Sequence, residues 1–258
     1  MNFKTMLLTT AAVTMMGCAA NAKDFTGSLF LPSKGEVFSE TNIDLDRTKY
    51  KRGMVDKDFS ASEELTYGVT DSFSVYGGIL NYFNFDRVTN RTYNNEHNFA
   101  YELGAKYNYN FDNFLIQFGA EYYTYKPATW WGHRGTDNEW VKIVSVEGQI
   151  GYDLGNGLVP YAKVDASSFV DTSDRQMDYA AFVGVHKTCD KIALDGGIRY
   201  ELNTDEGHNS HDWYAQGEAN YFVTDRVAVG VHGDYFIDGS SDNIDYDFTL
   251  GAQLKVLF

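Results

Sequence analysis

Strict alternation of apolar and polar residues is the feature of this sequence that most constrains its fold. In the last stretch, IDYDFTLGAQLKVLF, every second residue from Tyr246 to Phe258 is apolar. The residues between them, from Asp245 to Lys255, are Asp, Thr, Gly, Gln and Lys. Side chains of a strand point alternately to its two faces, so a period of two predicts a strand. This strand is long and has no charge on its apolar face.

At this C-terminal strand the chain resembles the bacterial outer-membrane β-barrel proteins, whose closing strand typically ends in Phe. The resemblance covers the whole mature chain as an architecture and identifies no single function. It implies that Leu254, Val256 and Phe258 form a signal for the outer-membrane assembly machinery. It also implies a location in the bacterial cell outer membrane, in contact with the lipid bilayer and lipopolysaccharide.

The first 22 residues have the pattern of a secretory signal peptide. Lys4 lies in a short basic region, an apolar run extends from Met6 to Gly17, and Ala20-Asn21-Ala22 forms a small-residue cleavage site. We therefore expect a cleaved signal peptide at 1–22 and a barrel at 23–258. Cys18 is either an acylated cysteine in an imperfect lipoprotein box or a small apolar residue of the signal.

Without the signal, the chain has 20 basic residues and 36 acidic ones. That net charge of −16 argues against nucleic-acid binding.

Twelve alternating segments follow a lead-in, 23–34, which we expect to lie in the periplasm. No later stretch has the roughly 20 consecutive apolar residues of a membrane helix, but a barrel strand needs only alternate apolar residues. Short turns alternate with longer loops, which predicts an antiparallel up-and-down transmembrane β-barrel with both termini in the periplasm. The predicted strands are 36–47, 58–68, 73–83, 97–110, 114–124, 139–152, 158–168, 177–187, 192–203, 211–222, 226–237 and 244–258.

Sorting each strand by parity separates a lipid face from an inner face. The lipid face is apolar, and aromatic residues gather near the strand ends, as in the interfacial girdles of membrane barrels. Glu63 and Lys142 are charged exceptions on this face. We expect each to lie near a loop-side strand end, where a charge costs about 0–1 kcal/mol.

The inner face carries most of the acidic residues. The candidates for the selectivity of a channel are the acids near mid-strand: Glu102, Glu121, Glu147, Asp165, Asp195, Glu218 and Asp234. A passage lined by one sign of charge enriches counter-ions, which predicts porin-like passage of small, preferably cationic, solutes. The alternative is a bore filled by a network of these acids with Lys, Arg, Tyr and Gln. Twelve strands do not decide between the two, since about 8 strands close on side chains and about 16 leave a channel.

Two other clusters are candidate sites. His208 and Ser210 have the H-x-S spacing of barrel lipid hydrolases, but 204–210 is rich in Asn, Asp, Gly and Ser and is predicted to be a loop. His211 and Asp212 could join His208 around a metal, although such clusters arise often by chance. Trp130, Trp131 and Arg134 could bind a sugar or headgroup, or could seat their loop in the outer interface.

Three functions remain open at this point. The leading one is a non-enzymatic channel without cofactor or metal. The second is a closed barrel that acts as a structural or surface-interaction protein through its loops, among them 87–95 and 130–134. The third is a lipid hydrolase that depends on His208 and Ser210.

Overall fold

The chain forms a closed antiparallel β-barrel. A computed structural model describes residues 24–51, 55–84, 97–125, 140–170, 177–205, 208–240 and 244–258. Each strand pairs with its neighbours in sequence, and the first pairs with the last. The strands are β1 (Val37–Tyr50), β2 (Val55–Thr70), β3 (Phe73–Asn84), β4 (His97–Phe111), β5 (Phe114–Tyr125), β6 (Val141–Tyr152), β7 (Leu158–Phe169), β8 (Met177–Cys189), β9 (Ile192–Asp205), β10 (His208–Thr224), β11 (Val227–Gly239) and β12 (Ile244–Leu257). The predicted twelve-stranded up-and-down barrel is confirmed.

The seam between β1 and β12 closes the barrel at the chain's C-terminal end. The ladder runs from Phe38 opposite Leu257 to Tyr50 opposite Ile244. Beyond it, the Phe258 backbone N–H donates to the Val37 carbonyl at 2.8 Å. Strand pairing therefore continues to the terminal residue, as the alternation of this stretch predicts.

The strand limits agree with the sequence analysis to within a few residues, with one correction of substance. The predicted loop 204–210 is wrong, because β9 extends to Asp205 and β10 begins at His208, and these two residues pair.

The short turns are confirmed. Asp112 and Asp190 adopt a φ of 50° in two of them, a left-handed conformation that Asp tolerates better than most residues. Within the described residues, no helix is long and apolar enough to span a bilayer.

The two predicted faces are present in the structure. Leu103 and Val183 point outward and are 66% and 67% exposed, whereas the inward-facing Ser74 and Gln117 are buried. Ring pairs lie at both ends of the outer surface, among them Phe114 with Tyr152 on the turn side and Tyr200 with Trp213 on the loop side. A barrel with a largely apolar exterior between aromatic ends has the outer surface that a lipid bilayer requires.

Glu63 does not lie at a strand end. It is on the outer face in the middle of β2, four residues from both Phe59 and Tyr67, so the expected loop-side position is wrong. Its two carboxylate oxygens accept hydrogen bonds from the hydroxyls of Ser39, at 2.6 Å, and Thr41 on the adjacent strand. These hydroxyls replace water as hydrogen-bond donors to a carboxylate in the lipid-facing surface. Lys142, by contrast, lies at the loop-side end of β6 as expected.

The lead-in to β1 lies inside the barrel end, and its predicted place in the periplasm is wrong. Phe25 is 1% exposed and packs edge-on against Phe222, with ring centroids 5.3 Å apart. Phe25 belongs to the main buried apolar cluster of the described chain, together with Phe38, Ala193, Phe222, Ala228 and Leu257, with Phe30 packed against it. We call residues 24–34 the N-terminal plug.

An arginine placed on the lipid face should destabilise the barrel. Val183→Arg puts a charge in the middle of β8 on the exposed outer face, which costs about 2–4 kcal/mol near the membrane midplane. The matched control Gln216→Arg places the same side chain in the acidic lumen, where it should change the free energy of unfolding by less than about 1 kcal/mol. Urea unfolding in lipid vesicles measures both values. Equal losses in the two variants would contradict the assignment of faces.

Candidate functional site

The lumen contains a cavity of about 810 Å³ that opens between the barrel wall and the N-terminal plug. Among the described residues that line it are nine carboxylates and four Lys or Arg side chains. The acids are Glu40, Asp44, Asp46, Glu64, Glu102, Asp165, Asp195, Glu218 and Asp234, and the bases are Lys106, Lys163, Arg199 and Lys255. The cavity is therefore acidic.

All seven acids predicted from the sequence are on the inner face. Five of them line the cavity: Glu102, Asp165, Asp195, Glu218 and Asp234. Glu121 accepts a hydrogen bond from the Tyr76 hydroxyl at 2.8 Å, and Glu147 forms an ion pair with Lys163 at 2.5 Å. The structure distributes these acids around the wall and along its height, so they do not form one ring.

A row of three glutamates crosses four adjacent strands, and this grouping was missed by the sequence analysis. Glu40 lies directly opposite Glu64, Glu64 opposite Gly78, and Gly78 opposite Glu102. Three strand spacings put the row over about 14 Å of the wall. Like charges directly opposite each other repel and destabilise a sheet. The row is therefore a part of the wall where negative potential is concentrated. Finding the row requires the register between strands, which parity within one strand does not give.

Part of the acidic charge is neutralised by luminal bases. The Lys255 ammonium lies 2.7 Å from Glu218 and 3.7 Å from Glu40. His232 bonds to Asp44 at 2.7 Å through Nε2, and its Nδ1 lies 3.1 Å from the Gln253 side-chain oxygen. These contacts tie β1, β10, β11 and β12 together across the seam. This network occupies part of the bore, which is what we expect for a barrel closed by its luminal side chains. The cavity lies beside the network.

Inward-facing glycines make room for the large luminal side chains. Glu102 lies over Gly78, the Tyr76 ring over Gly104, and Glu147 over Gly119, so a Cβ at any of these glycines would overlap the neighbouring side chain. The Tyr76 ring also lies 4.8 Å from the Lys106 ammonium, a cation–π distance. Small residues opposite large ones thus determine where the luminal side chains lie.

The periplasmic mouth holds a second polar cluster, at the start of the N-terminal plug. The Asp24 carboxylate accepts hydrogen bonds from His186 Nε2 and from the Thr188 hydroxyl. His186 Nδ1 lies 3.2 Å from Asp195, which also accepts a hydrogen bond from the Tyr161 hydroxyl at 2.7 Å. Ionised carboxylates only accept hydrogen bonds, so a ring that contacts one through each nitrogen carries both protons and a positive charge.

The carboxyl group of Asp24 is held in its ionised form. Burial by itself favours the neutral acid and raises the pKa of Asp24, but the hydrogen bond and the charge of His186 outweigh burial. The pKa of Asp24 therefore lies below its usual range. As long as His186 keeps its positive charge, the contact between Asp24 and the barrel wall is strongest above the usual carboxyl pKa and weakens as the pH falls through the lowered one.

The other two clusters predicted from the sequence are the Trp-rich loop and the His/Ser segment. Trp130, Trp131 and Arg134 lie outside the described residues, as do 87–95. Ser210 lies on β10 with the same parity as the inward-facing Asp212 and Tyr214, so it belongs to the luminal face. His211 points outward beside Tyr200, away from Asp212, so these two residues do not converge on one metal.

No protein-family model matches the chain, and no curated protein matches it. Solved structures do. The COG4313 outer membrane channel from Pseudomonas putida F1 superposes with a TM-score of 0.69 at 14% identity, over 92% of this chain and all of that one. The NanC porin has a TM-score of 0.55 at 7% identity, over 83% of this chain and 98% of its own. The β domain of the Bordetella autotransporter BrkA has a TM-score of 0.55 at 10% identity, over 85% and 98%.

This chain has the fold of a bacterial outer-membrane β-barrel. The apolar exterior, the even number of strands and the pairing of the first strand with the last are features of this chain's own barrel. This outer-membrane β-barrel fold accommodates channels and autotransporter domains alike, so the function must be argued from the lumen.

Filling one of the luminal glycine positions should loosen the wall of the lumen. Gly104→Ala forces the Tyr76 ring to move and breaks its hydrogen bond to Glu121. We expect a loss of about 1–3 kcal/mol in the free energy of unfolding. In the control, Gly217→Ala, the nearest heavy atom lies 3.9 Å from the added Cβ, and stability should be unchanged. Urea titration of the vesicle-embedded barrel distinguishes the variants, and an unaffected Gly104→Ala would show that Tyr76 does not need this space.

Proposed function

We propose that this protein is a passive channel of the bacterial outer membrane that passes small solutes and prefers cations. The observation that carries the proposal is the cavity lining, with nine carboxylates against four Lys or Arg side chains. Surplus negative charge in a passage with low-dielectric walls concentrates cations and repels anions. The fold supports passage, because strands that alternate lipid-facing and lumen-facing residues enclose a polar interior.

The glutamate row is the part of the wall that we expect to contribute most to selectivity. Glu64 and Glu102 face the cavity from β2 and β4, with only a glycine between them on β3. Lys255 approaches Glu40 at one end of the row, while Glu218 is the closer partner of that lysine. A permeating cation would meet two or three carboxylates within about 14 Å. Asp165 and Asp234 extend the acidic lining to other sides of the cavity.

The structural comparisons support the same class of function. The Pseudomonas putida protein is described as an outer membrane channel and NanC as a porin, and each superposes along nearly its whole length. At 14% and 7% identity they support a channel in general and give no solute. Neither a catalytic residue nor a cofactor is needed for this function.

The competing function is a closed barrel that serves a structural or surface-interaction role. The observation that favours it is the N-terminal plug, which occupies the periplasmic mouth. Folded protein that carries no current, even after the plug is released, would select this function.

The remaining partners are part of the same proposal. We propose that the assembly machinery recognises Leu254, Val256 and Phe258, of which Leu254 and Phe258 are exposed on the outer surface. We further propose that the outward-facing aromatic residues of the loop side contact lipopolysaccharide.

Removing acids from the glutamate row should weaken cation selectivity. In planar bilayers under a KCl gradient, the double variant Glu64→Gln/Glu102→Gln should lower the cation-over-anion permeability ratio by roughly twofold or more, because two of the nine luminal carboxylates are lost. The reversal potential measures this ratio directly.

Glu63 provides a matched control in the same strand. Glu63→Gln removes a carboxylate one residue from Glu64 but on the outer face, and the reversal potential should not change. A shift of similar size in the control, or no shift in the double variant, would contradict luminal cation selection.

A further inference from the structure

The N-terminal plug divides the interior into two compartments. Its residues Gly27, Ser28 and Phe30 line both the luminal cavity and a second cavity of about 420 Å³. That second cavity is also lined by the periplasmic turn residues Asp153, Gly155 and Gly157. A solute that crosses the barrel along this axis has to pass the plug.

Side chains from the barrel wall hold the plug in place. The Gln149 amide donates to the Ser28 hydroxyl at 2.6 Å, and the Asn108 amide donates to the Leu29 carbonyl at 3.1 Å. Gln117 in turn donates to Asn108 at 2.9 Å, which orients that amide. These three wall residues come from β4, β5 and β6, so one side of the mouth forms an amide surface that binds the plug at the Ser28 hydroxyl and the Leu29 carbonyl.

Phe25 anchors the opposite side. Its ring lies between Phe38 of β1 and Phe222 of β10, at centroid distances of 6.2 and 5.3 Å, and it is 1% exposed. The Lys255 ammonium lies 3.4 Å from the Thr26 carbonyl directly beyond it. Asp24, the residue before Phe25, forms the ion pair with His186 and the hydrogen bond with Thr188 described above.

The plug is attached to the wall without being part of the sheet. Residues 24–34 form no strand, so displacing the plug would leave every rung of the barrel ladder intact. The first backbone hydrogen bonds to the wall come directly after it, from the Gly35 N–H to the Gly68 carbonyl at 2.8 Å and from the Gly68 N–H to the Glu36 carbonyl at 3.0 Å. Gly35 joins it to β1 at a φ of 84°, with no atom within 4 Å of the position that a Cβ would take. Such a glycine can absorb a change of backbone direction without a steric clash, as hinge positions do, and turning it strains one backbone hydrogen bond, from the Gly35 N–H to the Gly68 carbonyl.

We propose that the N-terminal plug is a detachable gate for the periplasmic mouth, which turns about Gly35 and is latched by Asp24 on His186 and Thr188 and by Phe25 in its aromatic cluster. The inference rests on the proposed channel function for its conductance readout. Three charged groups, Asp24, His186 and Asp195, alternate in sign across the latch. Loss of the Asp24 charge leaves His186 paired with Asp195 within the wall and removes the ionic contact between plug and wall.

The test removes both anchors from the plug side. Asp24→Asn/Phe25→Ala is compared with the wild type, with the single variant Asp24→Asn, and with Asp225→Asn, which removes an exposed carboxylate from another periplasmic turn. Heat-modifiable migration in gels confirms that each barrel is folded. Amide hydrogen exchange then follows the peptide that contains residues 24–34, and single-channel recording follows the current.

In the double variant we expect exchange of this peptide to accelerate roughly tenfold or more, since its hydrogen-bonded and buried amides become exposed. We expect a smaller acceleration in Asp24→Asn and none in Asp225→Asn. Single-channel conductance or open time should rise in the same order.

Unchanged exchange in the double variant would overturn the latch, and faster exchange with the same current as a conducting wild type would overturn the gate. Faster exchange with no current in any variant would overturn the channel function instead and leave the latch supported.

Discussion

The structure depends on one constraint, which is that a backbone in lipid must satisfy its hydrogen bonds without water. A barrel meets this constraint only when its first and last strands pair, since an open edge would leave a row of unpaired groups in hydrocarbon. Here the seam between β1 and β12 extends to the Phe258 backbone, and every strand has two neighbours. Because closure satisfies the backbone hydrogen bonds, alternate side chains are free to contact lipid on one face and water on the other.

The inner face of the barrel carries many acidic side chains. Acids accumulate on the inner face to a density that a packed protein core would not tolerate, including the row of Glu40, Glu64 and Glu102. Glycines such as Gly78 and Gly104 give the larger luminal groups their space. Glu63 is the exception on the outer face, and the hydroxyls of Ser39 and Thr41 compensate for its position. Charge is therefore arranged by the same alternation that arranges the apolar surface.

Sequence reasoning predicts the properties that depend on one strand at a time. Period-two patterns and turn residues gave twelve strands, their faces and the direction of the seven candidate acids, and the structure confirms them. Sequence reasoning failed where a feature depends on contacts between different segments of the chain. The glutamate row depends on the register between β1, β2, β3 and β4, and the hydroxyl partners of Glu63 come from the neighbouring strand. The place of the N-terminal plug depends on Phe222 and His186, which lie more than 150 residues away from it. The predicted loop 204–210 failed because pairing with a neighbour extends strands through residues of low strand preference.

The same period of two sorts residues between lipid and lumen around the whole ring, and spin labelling measures this sorting in the folded protein. A nitroxide placed in turn at each position from 213 to 219 of β10 samples both faces in the vesicle-embedded protein. We expect collisions with oxygen to peak at positions 213, 215, 217 and 219, and collisions with a water-soluble nickel chelate to peak at 214, 216 and 218. A profile without this alternation, or one in the opposite phase, would contradict it.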